Sequence, residues 1–159
     1  MSDSPEQLEI YRRRLPHWRL GNSVYFVTFR IAPRRRRLDS QERSCVLARV
    51  VAGDPGFYRL AAAVVMPDHV HLLLKPNKGV PLSRILKGIK GTSARELNRR
   101  RHSTGPLWQD ETWDRIVRDE AEYWEKYHYI HDNPYRAGLV DRRKPWPAWY
   151  GNKQFLAPE

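Results

Sequence analysis

The most chemically specific pattern in the chain is a pair of histidines, His69 and His71, separated by one residue. They begin a segment, residues 69–75, whose valine and leucine content predicts a β-strand. Because side chains alternate along a strand, both imidazoles point to one face, while Val70 and Leu72 point to the other. Two imidazoles on one face can chelate a metal ion, although two hydrated histidines on a half-exposed strand fit the pattern equally well.

The ligands available elsewhere narrow the kind of metal site. A structural zinc ion takes four protein ligands, usually including closely spaced cysteines. This chain has no Cys-x-x-Cys motif, and its other cysteine and histidine candidates are scattered: Cys45, His17, His102, His128 and His131. A catalytic metal site with open coordination positions therefore fits the histidine pair better than a structural one.

A second chemical candidate is Tyr129, in a segment predicted to be helical from Asp119 to Asn133. The apolar stripe of that helix consists of Tyr123, Trp124, Tyr127 and Ile130. At about 100° per residue, Tyr129 lies about 200° from Tyr127 and shares a face with Asn133. The helix thus presents a phenol and an amide away from its packing side, a pattern that an ordinary surface tyrosine would also produce.

The charge balance points to a polyanionic partner. Twenty-nine lysines and arginines against eighteen acidic residues give a net charge of +11 and a pI near 10.1. Such a surface attracts nucleic acid, anionic membranes or heparin-like chains, and the clustering of the charge favours phosphate contacts over a set of solvated side chains. The candidate DNA-binding residues are Arg12, Arg13, Arg14, Arg34, Arg35, Arg36, Arg84, Lys87, Lys90, Arg95 and Arg99, with a further basic run at Arg142–Lys144.

The remaining pattern predicts the elements that must position these residues. Strands are expected over residues 24–30, 57–65, 69–75 and 112–117. Helices are expected from Asp39 or Ser40 to about residue 51, from Pro81 to about Arg101, and up to Pro134, which disfavours helix before it. The interleaving predicts an α+β fold with a mainly antiparallel central sheet and helices packed on its faces. We divide the chain into a basic arm (1–20), a main domain (21–140) and an irregular tail (141–159).

The sequence also indicates the cellular compartment of the protein. The single cysteine, Cys45, cannot form an internal disulfide, which favours a reducing compartment. The polar N-terminus is unlike a secretory signal, and the apolar runs are shorter than a membrane span. We therefore expect a cytoplasmic protein without a membrane partner.

Several motifs, in this order, resemble the REP-associated tyrosine transposases, which belong to the single-tyrosine group of the HUH superfamily of single-strand DNA nucleases. The motifs are YFVTF (25–29), MPDHVHLL (66–73), the helical positions Lys87-Gly, Thr92-Ser and Asn98-Arg, WDRIVRD (113–119), YIHDNP (129–134), RAGLV (136–140) and WPAWY (146–150). The resemblance covers roughly residues 15–150. The chain departs from the family pattern at Asp68, where asparagine is frequent, and in the 146–150 motif, which lacks a serine pair.

The resemblance implies a ferredoxin-like or RRM-like HUH core in which Tyr129 is the nucleophile. It also implies that His69, His71 and Asn133 hold Mg²⁺ or Mn²⁺, and that cleavage passes through a 5′-phosphotyrosine. The implied partner is single-stranded or hairpin DNA from repetitive extragenic palindromes (REP), in the nucleoid of a bacterium. The protein would act as a monomer or a homodimer, with a site built within one chain or between two.

Two other functions remain compatible with the sequence. One is a DNA- or RNA-binding module without catalysis, in which the histidines are incidental. The other is a zinc-dependent hydrolase that uses His69 and His71.

Overall fold

The computed structural model describes residues 23–157, where an antiparallel sheet is flanked by three helices. The elements in chain order are β1 (Val24–Ile31), α1 (Ser40–Ala52), β2 (Tyr58–Val65), β3 (His69–Pro76), α2 (Leu82–Arg101), β4 (Trp108–Val117), α3 (Glu120–Arg136) and β5 (Trp149–Gly151). The predicted α+β class is confirmed. The predicted arm, with Arg12, Arg13 and Arg14, lies outside the described residues. Within residues 23–157, no helix has both the length and the apolar character needed to cross a membrane.

The sheet has the strand order β4-β1-β3-β2-β5, and all neighbouring strands are antiparallel. Its two central strands, β1 and β3, pair with Thr28 opposite His71. Thr28 also lies opposite Trp113 of β4, and His71 lies opposite Val64 of β2. One row of side chains, referred to below as the Thr28 row, therefore runs across the sheet from Trp113 through Thr28 and His71 to Val64.

The helices cover both faces of the sheet. On β1, Phe29 points to one face, where it packs edge-on against Trp108 and lies 5.9 Å from the Lys90 ammonium group of α2. Phe26 points to the other face, where its ring meets the ring of Tyr129 from α3 edge-on at 6.0 Å. Because alternate residues of a strand point in opposite directions, α2 and α3 lie on opposite faces of the sheet.

Helix α1 is tied to α2 by a buried ion pair. Asp39 and Glu42 form a capping box at the start of α1, and Glu42, only 2% exposed, also receives hydrogen bonds from Arg101. Burial by itself raises the pKa of Glu42, but the bonds from Arg101 and from the Asp39 backbone outweigh it and hold that pKa below its ordinary value. Glu42 is therefore a paired carboxylate at neutral pH, and it joins two helices on the same face.

The prediction that the third helix ends before Pro134 is wrong. Helix α3 continues to Arg136, and Pro134 lies buried inside its last turn. A proline there removes only one intrahelical bond, and the carbonyl of Asn133 still accepts from the Ala137 amide at 3.0 Å. The cost of the missing bond is offset by burial of the ring, so Asn133 is a residue of the helix and not of its end.

The tail also differs from the irregular segment predicted. Trp149–Gly151 forms β5 at the edge of β2, and the Trp146 indole donates to the Val65 carbonyl at 3.1 Å. Any side chain at Gly151 would collide with Trp149 and Tyr127. A strand of three residues is too short to show an alternating pattern, and for this reason the sequence did not reveal it. Strand β4 likewise begins at Trp108, earlier than predicted, across an irregularity in its pairing with β1.

The buried ion pair between α1 and α2 generates a prediction about stability. Arg101→Ala should lower the free energy of unfolding by about 3 kcal/mol, because it leaves a buried carboxylate without its main partner. This is the low end of the range for broken buried pairs, since Arg36 still lies 3.6 Å from Glu42. Urea denaturation followed by circular dichroism measures the change.

Arg100→Ala is the matched control, because Arg100 is exposed and its guanidinium bonds only uncharged groups, the Gln41 side chain at 3.0 Å and the Cys45 sulfur at 3.7 Å. It should change the free energy of unfolding by less than about 0.5 kcal/mol. The lowered pKa of Glu42 sets the sign of the pH dependence. The stabilisation that the Glu42–Arg101 pair contributes is complete above the ordinary glutamate pKa of about 4.3. It is lost as the pH falls through the lower pKa of Glu42 in the folded protein. Equal effects of the two variants at pH 7 would contradict the assignment.

Candidate functional site

The ring of Tyr129 lies against the ring of His71 within one chain. Their centroids are 5.4 Å apart in an edge-on arrangement, and the ring of His69 lies 4.7 Å from that of His71. Tyr129 is 37% exposed, whereas His71 is buried, so the tyrosine forms the solvent side of the cluster. The structure thus brings together the predicted phenol and the predicted histidine pair, which are about sixty residues apart in the sequence.

Each histidine ring is fixed by a hydrogen bond to its Nδ1 atom. The Thr28 hydroxyl bonds Nδ1 of His71 at 2.8 Å, and a carboxylate oxygen of Asp68 lies 2.7 Å from Nδ1 of His69. Both bonds leave the Nε2 atom of the ring for another partner. Paired in this way, a histidine has a defined orientation and tautomer, which is the usual arrangement around a metal ligand.

The charge state of the cluster also suits ligation. Burial, with smaller contributions from the charges of His69 and Arg30, lowers the pKa of His71 to about 3. His71 is therefore a neutral imidazole at physiological pH. Burial alone would raise the pKa of Asp68, but the hydrogen bond with His69 and the charges of Arg37 and Arg30 hold it below its usual range. Asp68 is thus an anion able to accept the Nδ1 proton of His69.

A divalent ion needs more ligands than these two rings. Within residues 23–157, no three His, Cys, Asp or Glu side chains come together to hold a metal. The donor set nevertheless fits a catalytic Mg²⁺ or Mn²⁺ site, because an amide, water and phosphate oxygens can complete the coordination of such ions. Asn133, partly buried and one turn beyond Tyr129 on α3, is the candidate amide on the basis of helical spacing.

The tyrosine and His71 line an open cavity of about 580 Å³. Its other lining residues are Phe26, Thr28, Arg30, Trp113 and Lys126. Two cations lie on aromatic faces beside it: Lys126 is 5.2 Å from the Phe26 ring centroid, and Arg136 is 5.4 Å from that of Tyr129. An anion entering this cavity would meet positive charge from both α3 and β1.

Sequence reasoning missed Thr28, Arg30 and Trp113 as residues of this cavity. The alternating pattern of residues 24–30 places Thr28 and Arg30 on one face of a strand, which was a usable signal. It does not reveal that this strand pairs with His71 on one side and Trp113 on the other, because strand order is set by the fold.

Some of the predicted DNA-binding residues are engaged within the protein itself. Lys90, whose pKa is lowered by burial, donates to the backbone carbonyl of Gln109 at 2.6 Å and to the Thr112 hydroxyl at 3.2 Å. Arg35 bonds the Thr104 carbonyl at 3.1 Å and the side chain of Asn98. These two cations connect elements of the fold, so fewer of their donors remain for phosphate.

The other described cations remain candidates, but they lie apart from the tyrosine. Arg84, Lys87 and Arg95 line a groove of about 610 Å³ along α2, on the opposite face of the sheet. Arg34 and Arg36 line a cavity of about 470 Å³ with the end of α2, and Arg99 is exposed. Their role in DNA binding stays a prediction.

The fold and the histidine–tyrosine cluster together define a class of protein. The model of the family described as "Transposase IS200 like" matches residues 22–118, more than half of the chain, and the chain belongs to this family. The matched range includes His69 and His71. Tyr129 and Asn133 lie beyond it, so their roles depend on the geometry described above.

Two relatives and one solved structure resemble this chain. The chain is 24% identical over 143 residues to the REP-associated tyrosine transposase of Escherichia coli, covering 86% of this chain and 79% of the relative. It is 27% identical over 100 residues to a Haemophilus influenzae protein assigned provisionally as a REP-associated tyrosine transposase; this match spans 57% of each protein. The structure of a REP-associated tyrosine transposase bound to a REP hairpin superposes with a TM-score of 0.68 at 20% identity, covering 92% of this chain and 81% of that one. At this identity the likeness establishes the fold alone.

Proposed function

We propose that this protein is a metal-dependent single-strand DNA endonuclease and strand transferase that uses Tyr129 as its nucleophile. The observation that carries the proposal is the 5.4 Å contact between the Tyr129 and His71 rings in one cavity. His69, His71 and Asn133 would hold Mg²⁺ or Mn²⁺. Family membership supports an activity on DNA, and the cavity geometry supports this particular chemistry.

The reaction balances as a transesterification. The Tyr129 oxygen bonds to the scissile phosphorus, and the bond from phosphorus to the 3′ oxygen breaks. The products are a 5′-phosphotyrosine and a free 3′-hydroxyl, which gains the proton lost by the phenol. A second 3′-hydroxyl can reverse the step and join a new strand, because the phosphodiester energy is kept in the tyrosyl ester.

A phenol is mostly protonated at neutral pH and attacks poorly without help. A bound divalent ion would supply that help by withdrawing charge from a non-bridging phosphate oxygen. The residues of the chain contribute orientation and charge. Thr28 and Asp68 hold the two imidazoles, while Arg30 and Lys126 offset the negative charge of the entering backbone.

The proposed substrate is hairpin DNA of the REP type with a short single-stranded flank. It is supported by the similarity to REP-associated tyrosine transposases, one of which was solved with a REP hairpin bound. The net charge of +11 supports a nucleic-acid partner independently. We also propose that the basic arm (1–20) and the tail (141–159) flank the domain that carries the site.

The nucleophile is tested by the covalent intermediate. Incubation with a labelled single-stranded hairpin and Mn²⁺ should give a protein–DNA adduct that survives denaturing electrophoresis. Tyr129→Phe should abolish the adduct, because a phenyl ring has no oxygen to form the ester. Tyr135→Phe, on the same helix with its hydroxyl bonded to the Lys144 carbonyl, is the control and should retain it.

The same assay separates the rival functions. Cleavage without any adduct would indicate a zinc-type hydrolase, and binding without cleavage would indicate a DNA- or RNA-binding module. The double variant His69→Ala/His71→Ala should lose cleavage but keep salt-dependent binding. Loss of binding as well would point to misfolding or to a structural metal.

The within-chain contact of Tyr129 and His71 predicts a site assembled in cis. A mixture of Tyr129→Phe protein with His69→Ala/His71→Ala protein should therefore form no adduct, since no single chain holds both halves. Recovery of adduct in the mixture, with each variant inactive alone, would show that the two halves come from different chains.

The hydrogen bond from His69 to Asp68 predicts a role for the carboxylate in metal affinity. Asp68→Ala should weaken Mn²⁺ binding about tenfold to 100-fold in calorimetry, whereas Asp68→Asn, which keeps an acceptor, should lose much less. Asp132→Ala is the matched control, because Asp132 makes a similar 2.9 Å contact with the neighbouring His131, which is not a proposed ligand. Equal affinity in Asp68→Ala and the wild type would contradict this orienting role.

A further inference from the structure

Trp113 is an exposed indole on the edge strand β4. Its side chain is 48% exposed, although tryptophan is usually largely buried in a folded protein. Trp113 also lines the cavity that contains Tyr129 and His71. A large aromatic surface that is exposed beside the histidine–tyrosine cluster is suited to bind a ligand with a flat apolar face.

The register of the sheet fixes how far this indole lies from the cluster. Trp113 is opposite Thr28, which is opposite and hydrogen-bonded to His71 in the Thr28 row. Neighbouring strands are about 4.8 Å apart, so the backbones at Trp113 and His71 are separated by roughly 10 Å. A nucleotide close to a phosphate held between His71 and Tyr129 can reach across that distance.

The charges around Trp113 favour a nucleic-acid base over an apolar protein segment. Arg30, exposed on β1, lines the same cavity. Lys126 of α3 also lines the cavity. An aromatic surface set among cations that face a phosphate path is the arrangement by which proteins hold single-stranded DNA.

We infer that Trp113 is a stacking platform for one unpaired base adjacent to the scissile phosphate. The inference rests on the proposed action on single-stranded DNA, and it adds a residue that positions the strand. Stacking on an indole tolerates any base, so Trp113 fixes where the strand lies and does not read its sequence. Its removal should weaken strand binding without disturbing the histidine cluster.

The test couples a change in the protein with a change in the DNA. Binding of a dye-labelled hairpin with a single-stranded flank is measured by fluorescence anisotropy in a Tyr129→Phe background, so that cleavage does not interfere. Each flanking nucleotide is replaced in turn by an abasic one. With Trp113 present, one abasic position should weaken binding about fivefold to 150-fold, the range for loss of one stacked base.

In Trp113→Ala, that same abasic position should cost nothing further, because the platform is already gone. Trp113→Phe should retain most of the coupling. Ile116→Ala is the matched control, since Ile116 is 49% exposed on the same strand but points to the opposite face, and it should leave both binding and coupling unchanged.

The results separate this inference from the proposed nuclease activity. Adduct formation in the wild type without coupling at any position would overturn the platform alone. Coupling without any adduct in the wild type would overturn the nuclease and leave the platform standing. Trp113→Ala lowering thermal stability, with equal abasic losses in both proteins, would assign the indole a purely structural role.

Discussion

The pairing of β1 with β3 is the constraint on which the candidate site depends. It sets Thr28 opposite His71, and the hydrogen bond between them fixes a buried imidazole that carries no charge at neutral pH. A shift of one residue in this register would turn every side chain of β3 to the other face. His71 would then point toward α1 and α2, and Leu72 would take its place beside Tyr129. The apolar residues on the other face of β3 prevent that shift, because they are fully buried in the core.

Helix α3 adds the second half of the site by its own packing. Tyr123, Tyr127 and Ile130 are buried against the sheet, which turns Tyr129 toward His71 and keeps it partly exposed. The short strand β5 supports this position, since Gly151 allows Tyr127 and Trp149 to meet where any larger residue would collide. The phenol proposed as the nucleophile is thus oriented by residues that have no part in the proposed reaction. Two cations of the same helix lie on aromatic rings nearby: Lys126 over Phe26 and Arg136 over Tyr129.

Basic residues line separate cavities on the two faces of the sheet. The basic groove along α2 and the cavity beside Tyr129 lie on opposite faces of the sheet, and Arg34, Arg35 and Arg36 line a third cavity with the end of α2. A single bound strand would have to pass around the sheet to contact both faces. The Leu38 amide, next to Arg37, donates to the Pro67 carbonyl at 2.7 Å, so the arginine segment 34–37 ends beside the turn that precedes His69.

The sequence by itself determined every element except β5, and the candidate site residues that those elements carry. Periodicity gave the strand with His69 and His71 and the helix with Tyr129 off its apolar stripe, because alternation and helical spacing are local properties of the chain. The predictions from periodicity were wrong at two places. Helix α3 continues past Pro134, which is buried, and β5 is too short to show an alternating pattern. Only the tertiary structure decided that β1 lies between β3 and β4, that Tyr129 meets His71 in the same chain, and that Lys90 and Arg35 bind other parts of the protein. These facts depend on contacts between residues far apart in sequence, which no local spacing encodes.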